Sequence, residues 1–224
     1  MEQGRFLERL NRFVARVQTD TGEILCHVPS TGRMRELLYA GNTVWLERKA
    51  TGKTQGRLLF AMGKNGPVSV DSTLPNRLVH QDFLHGGQVL FSGSVADVRP
   101  EVRLGDSRID FRITLTSGEV GYVEVKSVTL VEEGVALFPD APTERGTHHL
   151  MELIKAAKDG YFAAVVFVIQ REDARVFRPH REKDAAFADA VLAAAEKGVQ
   201  ILAVDASVSP EGVSLRQAVP VELV

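Results

Sequence analysis

The sequence predicts two modules of different fold class, an all-β module followed by an α/β domain. Three observations support this division. Short strands fill the first eighty residues, a buried apolar run and two amphipathic helices come later, and the net charge changes sign between the two parts. A chain of 224 residues is long enough for one large domain or two small ones. We therefore expect an all-β module at 1–80 and an α/β domain at 81–224.

The first module consists of short strands separated by turns that contain glycine. "RFVARVQ" and "EILCHV" flank the turn signal "TDTG" and predict a hairpin, while "NTVWLERK", "GRLLFAMG" and "GPVSVD" predict three more strands. "TGRMRELLYAG" predicts a short helix or turn. Five short strands favour a small closed barrel of the OB type, because closure removes exposed sheet edges.

The second module begins with a short helix and a hairpin. "QDFLHG" predicts the helix, and "SRIDFRITLTSGEVGYVEVKSVTL" predicts a strand, a turn and a strand. Leu150, Leu153, Ile154 and Ala157 then share one face of a helix that ends at Gly160. The apolar run "YFAAVVFVIQ" predicts a strand that is buried on both faces of a sheet.

A second amphipathic helix is predicted in "KDAAFADAVLAAAEKG". Its inward face would carry Phe187, Val191, Leu192 and Ala195, and Gly198 would end it. "VQILAVDASV" and "GVSLRQAVPVELV" predict the last strands of the sheet. A hairpin followed by alternating strands and helices indicates an α/β domain with a parallel or mixed sheet.

The charge of the chain is distributed unevenly. Residues 1–80 carry 12 Lys and Arg against 7 Asp and Glu, whereas residues 81–224 carry 15 against 22. A basic module joined to an acidic one indicates that the first binds a polyanion and that the second holds a metal-binding carboxylate cluster. A chance imbalance with no partner is the alternative.

The composition also excludes several classes of protein. The N-terminus has no apolar segment of the signal-peptide kind, and "YFAAVVFVI" is too short to span a bilayer. The single cysteine, Cys26, excludes an internal disulfide and a cysteine-based zinc cluster. We expect a cytoplasmic protein without a membrane partner, and the sequence is compatible with a homo-oligomer.

The predicted hairpin decides which side chains Asp110 meets. A two-residue loop would place Asp110 opposite Val125 and bury its carboxylate among valines, at a cost of several kcal/mol. A three-residue loop ends in Gly118, which adopts the left-handed conformation that such loops require. This second loop places Asp110 opposite Glu124 and completes an apolar face on the other side. We therefore expect the three-residue loop.

Two carboxylates side by side predict a metal site. Like charges repel at cross-strand distance, whereas Mg²⁺ or Mn²⁺ binds carboxylate, water and phosphate oxygens. We expect Asp110 and Glu124 to hold such an ion, with Glu101 as a third acid. Lys126, on the same face, would orient or deprotonate a water and balance charge on a phosphate. A solvated strand face with a local Glu–Lys pair is the alternative.

Polar residues at the predicted start of a helix suggest a phosphate site. In "FPDAPTERGTHHL", the free N–H groups of the helix start favour an anion, which Arg145, His148 and His149 would reach. The two histidines point about 100° apart, so they do not bind one metal together. Gln170 ends the buried strand and would either point into the same cleft or satisfy the strand end. Simple capping of a solvated helix is the alternative.

Arginines of the first module are candidates for contacts with a nucleic-acid backbone. A basic barrel surface with exposed aromatic side chains would track phosphates and stack bases. Phe13 and Trp45, in contrast, are expected to fill the barrel core. The arginines that we expect to bind nucleic acid are Arg12, Arg16, Arg33 and Arg35.

Several motifs in order resemble the sugar fermentation stimulation protein A (SfsA) family. They include "HVPSTGRM", "VDSTLPNRLV", "SRIDF", "VEVKSVTL", "FPDAPTERGTHHLMEL" and "FVIQR". The resemblance implies an N-terminal OB-fold, a C-terminal domain of the PD-(D/E)xK nuclease type, and DNA binding. Asp110 matches the first acid of that motif, and Glu124 and Lys126 match the second acid and the lysine. The family commonly has Asn in place of Ser30 and Lys in place of His148.

The leading hypothesis is a DNA-binding protein with a nuclease site that depends on Mg²⁺ or Mn²⁺. Asp110, Glu124 and Lys126 would be its catalytic residues. The alternative is a non-catalytic DNA-binding regulator of sugar metabolism that keeps the nuclease-like scaffold. A small-molecule or nucleotide-binding protein ranks last, because the sequence has no glycine-rich phosphate loop.

Overall fold

The computed structural model describes residues 1–50, 52–92, 94–209 and 211–223. The strands of the first module are β1 (Glu2–Asn11), β2 (Val14–Thr19), β3 (Gly22–His27), β4 (Thr43–Arg48), β5 (Gly56–Gly63) and β6 (Gly66–Ser69), which pairs with β5 outside the closed ring. The remaining elements are α1 (Leu74–Leu84), α2 (Gln88–Phe91), β7 (Val95–Leu104), β8 (Ser107–Leu115), β9 (Val120–Val128), β10 (Val131–Glu132), β11 (Val135–Phe138), α3 (Glu144–Lys158), β12 (Phe162–Ile169), β13 (Val176–Pro179), α4 (Ala185–Glu196), β14 (Gln200–Ser209) and β15 (Gly212–Ala218).

The first five strands form a closed barrel. Their order is β3-β2-β1-β4-β5, and a short parallel pairing of β3 with β5 closes the ring. The predicted hairpin of β2 and β3 is confirmed. The sequence prediction missed β1, the strand between β2 and β4. Phe6 is its one buried residue, and its other large apolar side chains, Leu7 and Leu10, stay partly or largely exposed, so β1 lacks the alternation that marks a strand.

Two aromatic residues lie elsewhere than predicted. Phe13 is 47% exposed and its ring stacks on His27, so it does not fill the barrel core. Trp45 is half-buried against Phe60 and the second domain, outside the barrel core. Turns around Met34 contribute apolar side chains to that core instead, and the predicted helix-or-turn segment is a turn.

The second domain is built on a mixed sheet of order β15-β14-β12-β9-β8-β7. The central strand β12 is parallel to both of its neighbours, and the other pairings are antiparallel. Alternate residues of β12 face two apolar cores, one covered by α3 and α4 and the other by α1 and α2. The prediction of a strand buried on both faces is therefore confirmed.

Helix α4 packs through a slightly different face from the predicted one. Phe187, Ala190, Val191 and Ala194 are buried, whereas Leu192 is 40% exposed. The sheet contacts only one stripe of the helix, and Leu192 lies just outside it. The edge strand β7 was also missed, because Val95 is its one buried residue and a proline interrupts it.

The hairpin of β8 and β9 has the predicted register. Phe111 pairs with Val123, and the Leu115 N–H donates to the Glu119 carbonyl over 2.8 Å. Gly118 adopts φ +88° in the three-residue loop. Turn chemistry and hydrophobic alternation therefore predicted the pairing correctly.

The predicted fold class is confirmed: an OB barrel precedes an α/β domain with a mixed sheet. The predicted boundary between residues 80 and 81 falls inside α1, which packs on the large sheet. Phe60 of the barrel packs against Ala206 and Val208 of β14, so the two domains share an apolar contact. None of the helices in the described parts of the chain has the length and apolar character that crossing a bilayer requires.

Candidate metal and nucleic-acid site

Two carboxylates lie side by side where β8 and β9 diverge. Beyond the Phe111–Val123 pair, the Val125 N–H donates to Asp110 Oδ2 over 2.8 Å. The Asp110 N–H in turn faces Glu124 Oε2 at 3.4 Å. The Asp110 side chain thus takes the place of a strand carbonyl, and both acids lie at one point of the sheet.

Glu124 is buried and held by two bases. Its Oε1 accepts a hydrogen bond from Lys126 Nζ over 2.7 Å and another from His149 Nδ1. Arg145 Nε donates to His149 Nε2 over 3.2 Å. Because Arg145 only donates, Nε2 is the acceptor of this ring and Nδ1 carries the proton that reaches Glu124. The first two turns of α3 therefore orient the second acid.

Asn76, in the first turn of α1, orients the first acid. Its Nδ2 donates to Asp110 Oδ1 over 2.6 Å, while the Val125 N–H holds the other oxygen. Sequence analysis missed this residue. Thirty-four positions separate Asn76 from Asp110, and no local pattern signals a contact that only the packing of α1 on the sheet creates.

The two acids differ in proton affinity. Burial, and next the charge of Glu124, raise the pKa of Asp110 to about 6, against the opposing effects of the Val125 N–H, Lys126 and Asn76. Burial alone would raise the pKa of Glu124 too, but hydrogen bonds and charge from His149 and Lys126 lower it below its usual value. The fold therefore holds one ionised carboxylate beside another whose ionisation is costly.

The third predicted acid, Glu101, does not join Asp110 and Glu124. Its carboxylate is exposed and forms an ion pair with Arg108 Nε at 2.9 Å, and its backbone adopts φ +56°. Across residues 1–50, 52–92, 94–209 and 211–223, no three His, Cys, Asp or Glu side chains converge on a point suited to a metal ion. The structure thus groups two of the three predicted metal ligands.

The predicted nucleic-acid contacts fall into three groups. Arg16 is engaged by Glu8 at 3.3 Å and Glu23 at 3.9 Å on the barrel surface. His149 and Gln170 are buried. The exposed residues of the predicted set are Arg12, Arg33, Arg35, Arg145 and His148.

A cleft of about 420 Å³ lies between the barrel and the second domain and includes Lys126 in its wall. Arg12 and residues 30–32 form the barrel side, whereas residues 125–130, the segment 137–143 and Gln170 form the other side. The Arg33 N–H donates to Asp140 Oδ2 over 2.9 Å and joins the two sides at the rim. Gln170 belongs to this wall but is fully buried, and its Nε2 donates to Ser127 Oγ over 2.8 Å.

Comparisons with known proteins agree over nearly the whole chain. The model of the sugar fermentation stimulation protein RE domain matches residues 73–212, and that of the SfsA N-terminal OB domain matches residues 7–70. The sugar fermentation stimulation protein homolog of Desulforamulus reducens is 47% identical, over 97% of this chain and 91% of its own. That of Clostridium kluyveri is 40% identical, over 99% and 96%. A solved structure, Pyrococcus furiosus SfsA in complex with Ca²⁺, has a TM-score of 0.87 and 30% identity, covering 99% of this chain and 95% of that one.

Proposed function

The chain belongs to the SfsA family, and from this premise we propose that it is a DNA-binding protein that hydrolyses phosphodiester bonds with a divalent metal ion. One observation carries the proposal. Half-buried Asp110 and buried Glu124 lie side by side next to Lys126, which is in the wall of an interdomain cleft. A hairpin with only a structural role would seldom place two carboxylates side by side and bury one of them.

The donor set fits a hard divalent cation. Two carboxylates would hold Mg²⁺ or Mn²⁺, with waters and substrate phosphate oxygens as the other ligands. The raised pKa of Asp110 marks an ionisation cost that a cation would remove. Glu101 would have to give up its ion pair with Arg108 to join them. The Ca²⁺ bound to the P. furiosus relative supports a divalent-cation site in this chain as well. When bound, the ion supplies positive charge that polarises the phosphate and acidifies water.

Neighbouring groups of the chain hold the two acids in fixed positions. Asn76 and the Val125 N–H hold Asp110, and His149 and Lys126 hold Glu124. In hydrolysis a water gives up one proton and its oxygen bonds to phosphorus, a bridging P–O bond breaks, and the leaving oxygen takes up a proton. The ammonium group of Lys126 stabilises the negative charge that develops on the phosphate oxygens.

A cleavage assay tests the proposal. End-labelled single-stranded DNA, double-stranded DNA and RNA would be incubated with EDTA, Mg²⁺ or Mn²⁺. We expect cleavage that depends on metal and falls at least about 100-fold in Lys126→Ala and in Glu124→Gln. Thermal shift with each metal provides a second readout, since Glu124→Gln should lose the stabilisation that a bound ion gives to the wild type.

Lys155→Ala is the matched control. Lys155 also pairs with a buried glutamate, Glu152, at 2.6 Å, but it lies outside the cleft. We expect this variant to retain cleavage. Unchanged cleavage in both Lys126→Ala and Glu124→Gln would contradict the assignment of these residues to the active site. DNA binding without cleavage under every condition would favour a non-catalytic binder instead.

A further inference from the structure

We propose that the interdomain cleft holds one or two nucleotides of an unpaired strand, so that the substrate of this site is single-stranded DNA or a single-stranded end. The inference rests on the proposed function, because it names the substrate of the same site. Its support comes from the size of the cleft, the burial of Glu124 and Lys126, the chemistry of the wall and an aromatic pair outside the rim.

The burial of the site disfavours direct access by a duplex. The side chain of Glu124 is 4% exposed and that of Lys126 is 12% exposed, whereas Asp110 is half-buried. A phosphate held on the surface of a stiff, paired helix meets little exposed surface of these groups. A flexible single strand enters such a recess, as does a nucleotide extruded from a helix.

The volume of the cleft matches a small ligand. At about 420 Å³ it lies within the range of roughly 300–1,000 Å³ that is typical of small-molecule pockets. That space accommodates one or two nucleotides but not paired, stacked bases of two strands. The Arg33–Asp140 contact joins the domains at the rim, so the cleft does not widen without breaking it.

The wall of the cleft has the chemistry of a nucleotide site. Lys126 on the sheet and the exposed Arg12 on the barrel provide positive charges for phosphates. Ser30, Thr31 and Thr129 offer hydroxyl groups to sugar and base edges, and Leu137 and other apolar side chains offer surface to base faces. Cations, hydroxyls and apolar surface together fit a nucleotide better than a lipid or a simple anion.

A buried amide in the same wall has an unused acceptor. Gln170 Nε2 donates to Ser127 Oγ over 2.8 Å, whereas its Oε1 is buried and lacks a hydrogen-bond partner among the described residues. Leaving a buried acceptor unpaired is unfavourable. A small shift of this side chain toward the cleft would offer Oε1 to an N–H group there, and nucleobases carry such donors on their edges.

The barrel side of the cleft has a fixed backbone and an exposed aromatic ring next to Arg12. Arg9 donates to the carbonyls of Arg12, Ser30, Gly32 and Arg33, and thereby holds together the two turns that form the rim. Phe13 follows Arg12 directly, and its exposed ring stacks on His27 with the centroids 6.5 Å apart. Exposed aromatic rings beside a cation are the platform on which bases of a single strand stack.

Binding measured in EDTA tests the inference independently of cleavage. Fluorescence anisotropy would compare a labelled oligothymidylate with a blunt duplex of the same length. We expect the wild type to bind the single strand at least about tenfold more tightly. Thr31→Trp narrows the cleft at an exposed position, and Arg12→Glu reverses its outer charge. Each should weaken single-strand binding at least about tenfold, and Thr31→Trp should leave duplex binding unchanged.

Lys64→Glu is the matched control, because Lys64 is exposed on the barrel and outside the cleft, and the substitution changes the net charge equally. We expect it to weaken single-strand binding far less than Arg12→Glu does. Phe13→Ala should weaken single-strand binding about fivefold or more through lost stacking.

Three outcomes would overturn the inference. The first is equal or tighter binding of the duplex, and the second is unchanged single-strand binding in Thr31→Trp. The third is competition by free thymidine monophosphate that is as strong as competition by the unlabelled strand. The last would make the ligand a free nucleotide. Single-strand binding in the cleft without cleavage would refute the nuclease proposal alone. Cleavage of duplex without single-strand preference would refute only this inference.

Discussion

Asp110 is a carboxylate that the fold holds where its charge is costly. Burial and the neighbouring Glu124 raise its pKa to about 6. The folded state then binds a proton more tightly than the unfolded chain, so the free energy of unfolding rises as the pH falls from above 6 toward the unfolded pKa. At neutral pH the ionised form of Asp110 therefore destabilises the protein in the absence of metal.

Replacing Asp110 with asparagine should stabilise the metal-free protein. At about pH 8 in EDTA we expect Asp110→Asn to gain up to roughly 3 kcal/mol over the wild type, and the gain should disappear as the pH approaches about 4. The Asn76 amide can turn to accept from the new amide, so the hydrogen bonds survive. Urea denaturation at several pH values measures the difference. Equal stability at every pH would contradict the assignment of a costly charge.

The residues of the site divide by how far apart they lie in sequence. Asp110, Glu124 and Lys126 belong to one hairpin, and the alternation and loop length of that hairpin are enough to predict that the three side chains lie on one face. His149 was predicted as a phosphate contact, and the structure places it in a buried position beneath Glu124. The polar pattern at the start of α3 predicted a functional role for His149. The packing of α3 on the sheet determines which group His149 contacts.

At the scale of elements, the β8–β9 hairpin depends on one glycine. Gly118 adopts φ +88°, a conformation that other residues rarely reach, and a side chain there would meet nothing within 4 Å. Any cost of Gly118→Ala therefore comes from the backbone, at about 1–2 kcal/mol. The measurement is the midpoint and slope of urea unfolding.

Gly212→Ala is the control for this substitution. Gly212 also has open space around it but no positive φ, so alanine should be neutral or slightly stabilising. If both variants had the same stability, the three-residue loop would not depend on the left-handed glycine.

The helices and strands that the sequence predicted correctly are those that bury a regular apolar face. Strands β12 and β14, and helices α3 and α4, carry such faces and were found from the sequence. Strands β1 and β7 expose most of their side chains and were missed. Their backbones are held by the neighbouring strands, so hydrophobic periodicity carries little information about them.

At the scale of the whole molecule, the cleft depends on the contact between the two domains. Phe60 is 6% exposed and packs against Ala206 and Val208 of the second domain. Phe60→Ala should cost about 3–5 kcal/mol, since it leaves a cavity at this contact. Calorimetry should then show a lower midpoint and separate transitions for the two domains.

Tyr39→Ala provides the comparison, because Tyr39 is 53% exposed on the barrel and away from this contact. Its stability should stay within about 0.5 kcal/mol of the wild type. A single transition with an unchanged midpoint in Phe60→Ala would show that the contact does not couple the domains.

Local patterns in the sequence were enough to predict the two fold classes, the main helices, the buried central strand and the pairing of Asp110 with Glu124. These features follow from alternation, turn chemistry and burial, which act between near neighbours in the chain. The packing of distant elements, in contrast, places Asn76 against Asp110, His149 beneath Glu124, and the Arg33 N–H on Asp140 across 107 positions. Such contacts arise when finished elements pack together, and no local pattern encodes them. The cleft between the barrel and the sheet has the same origin.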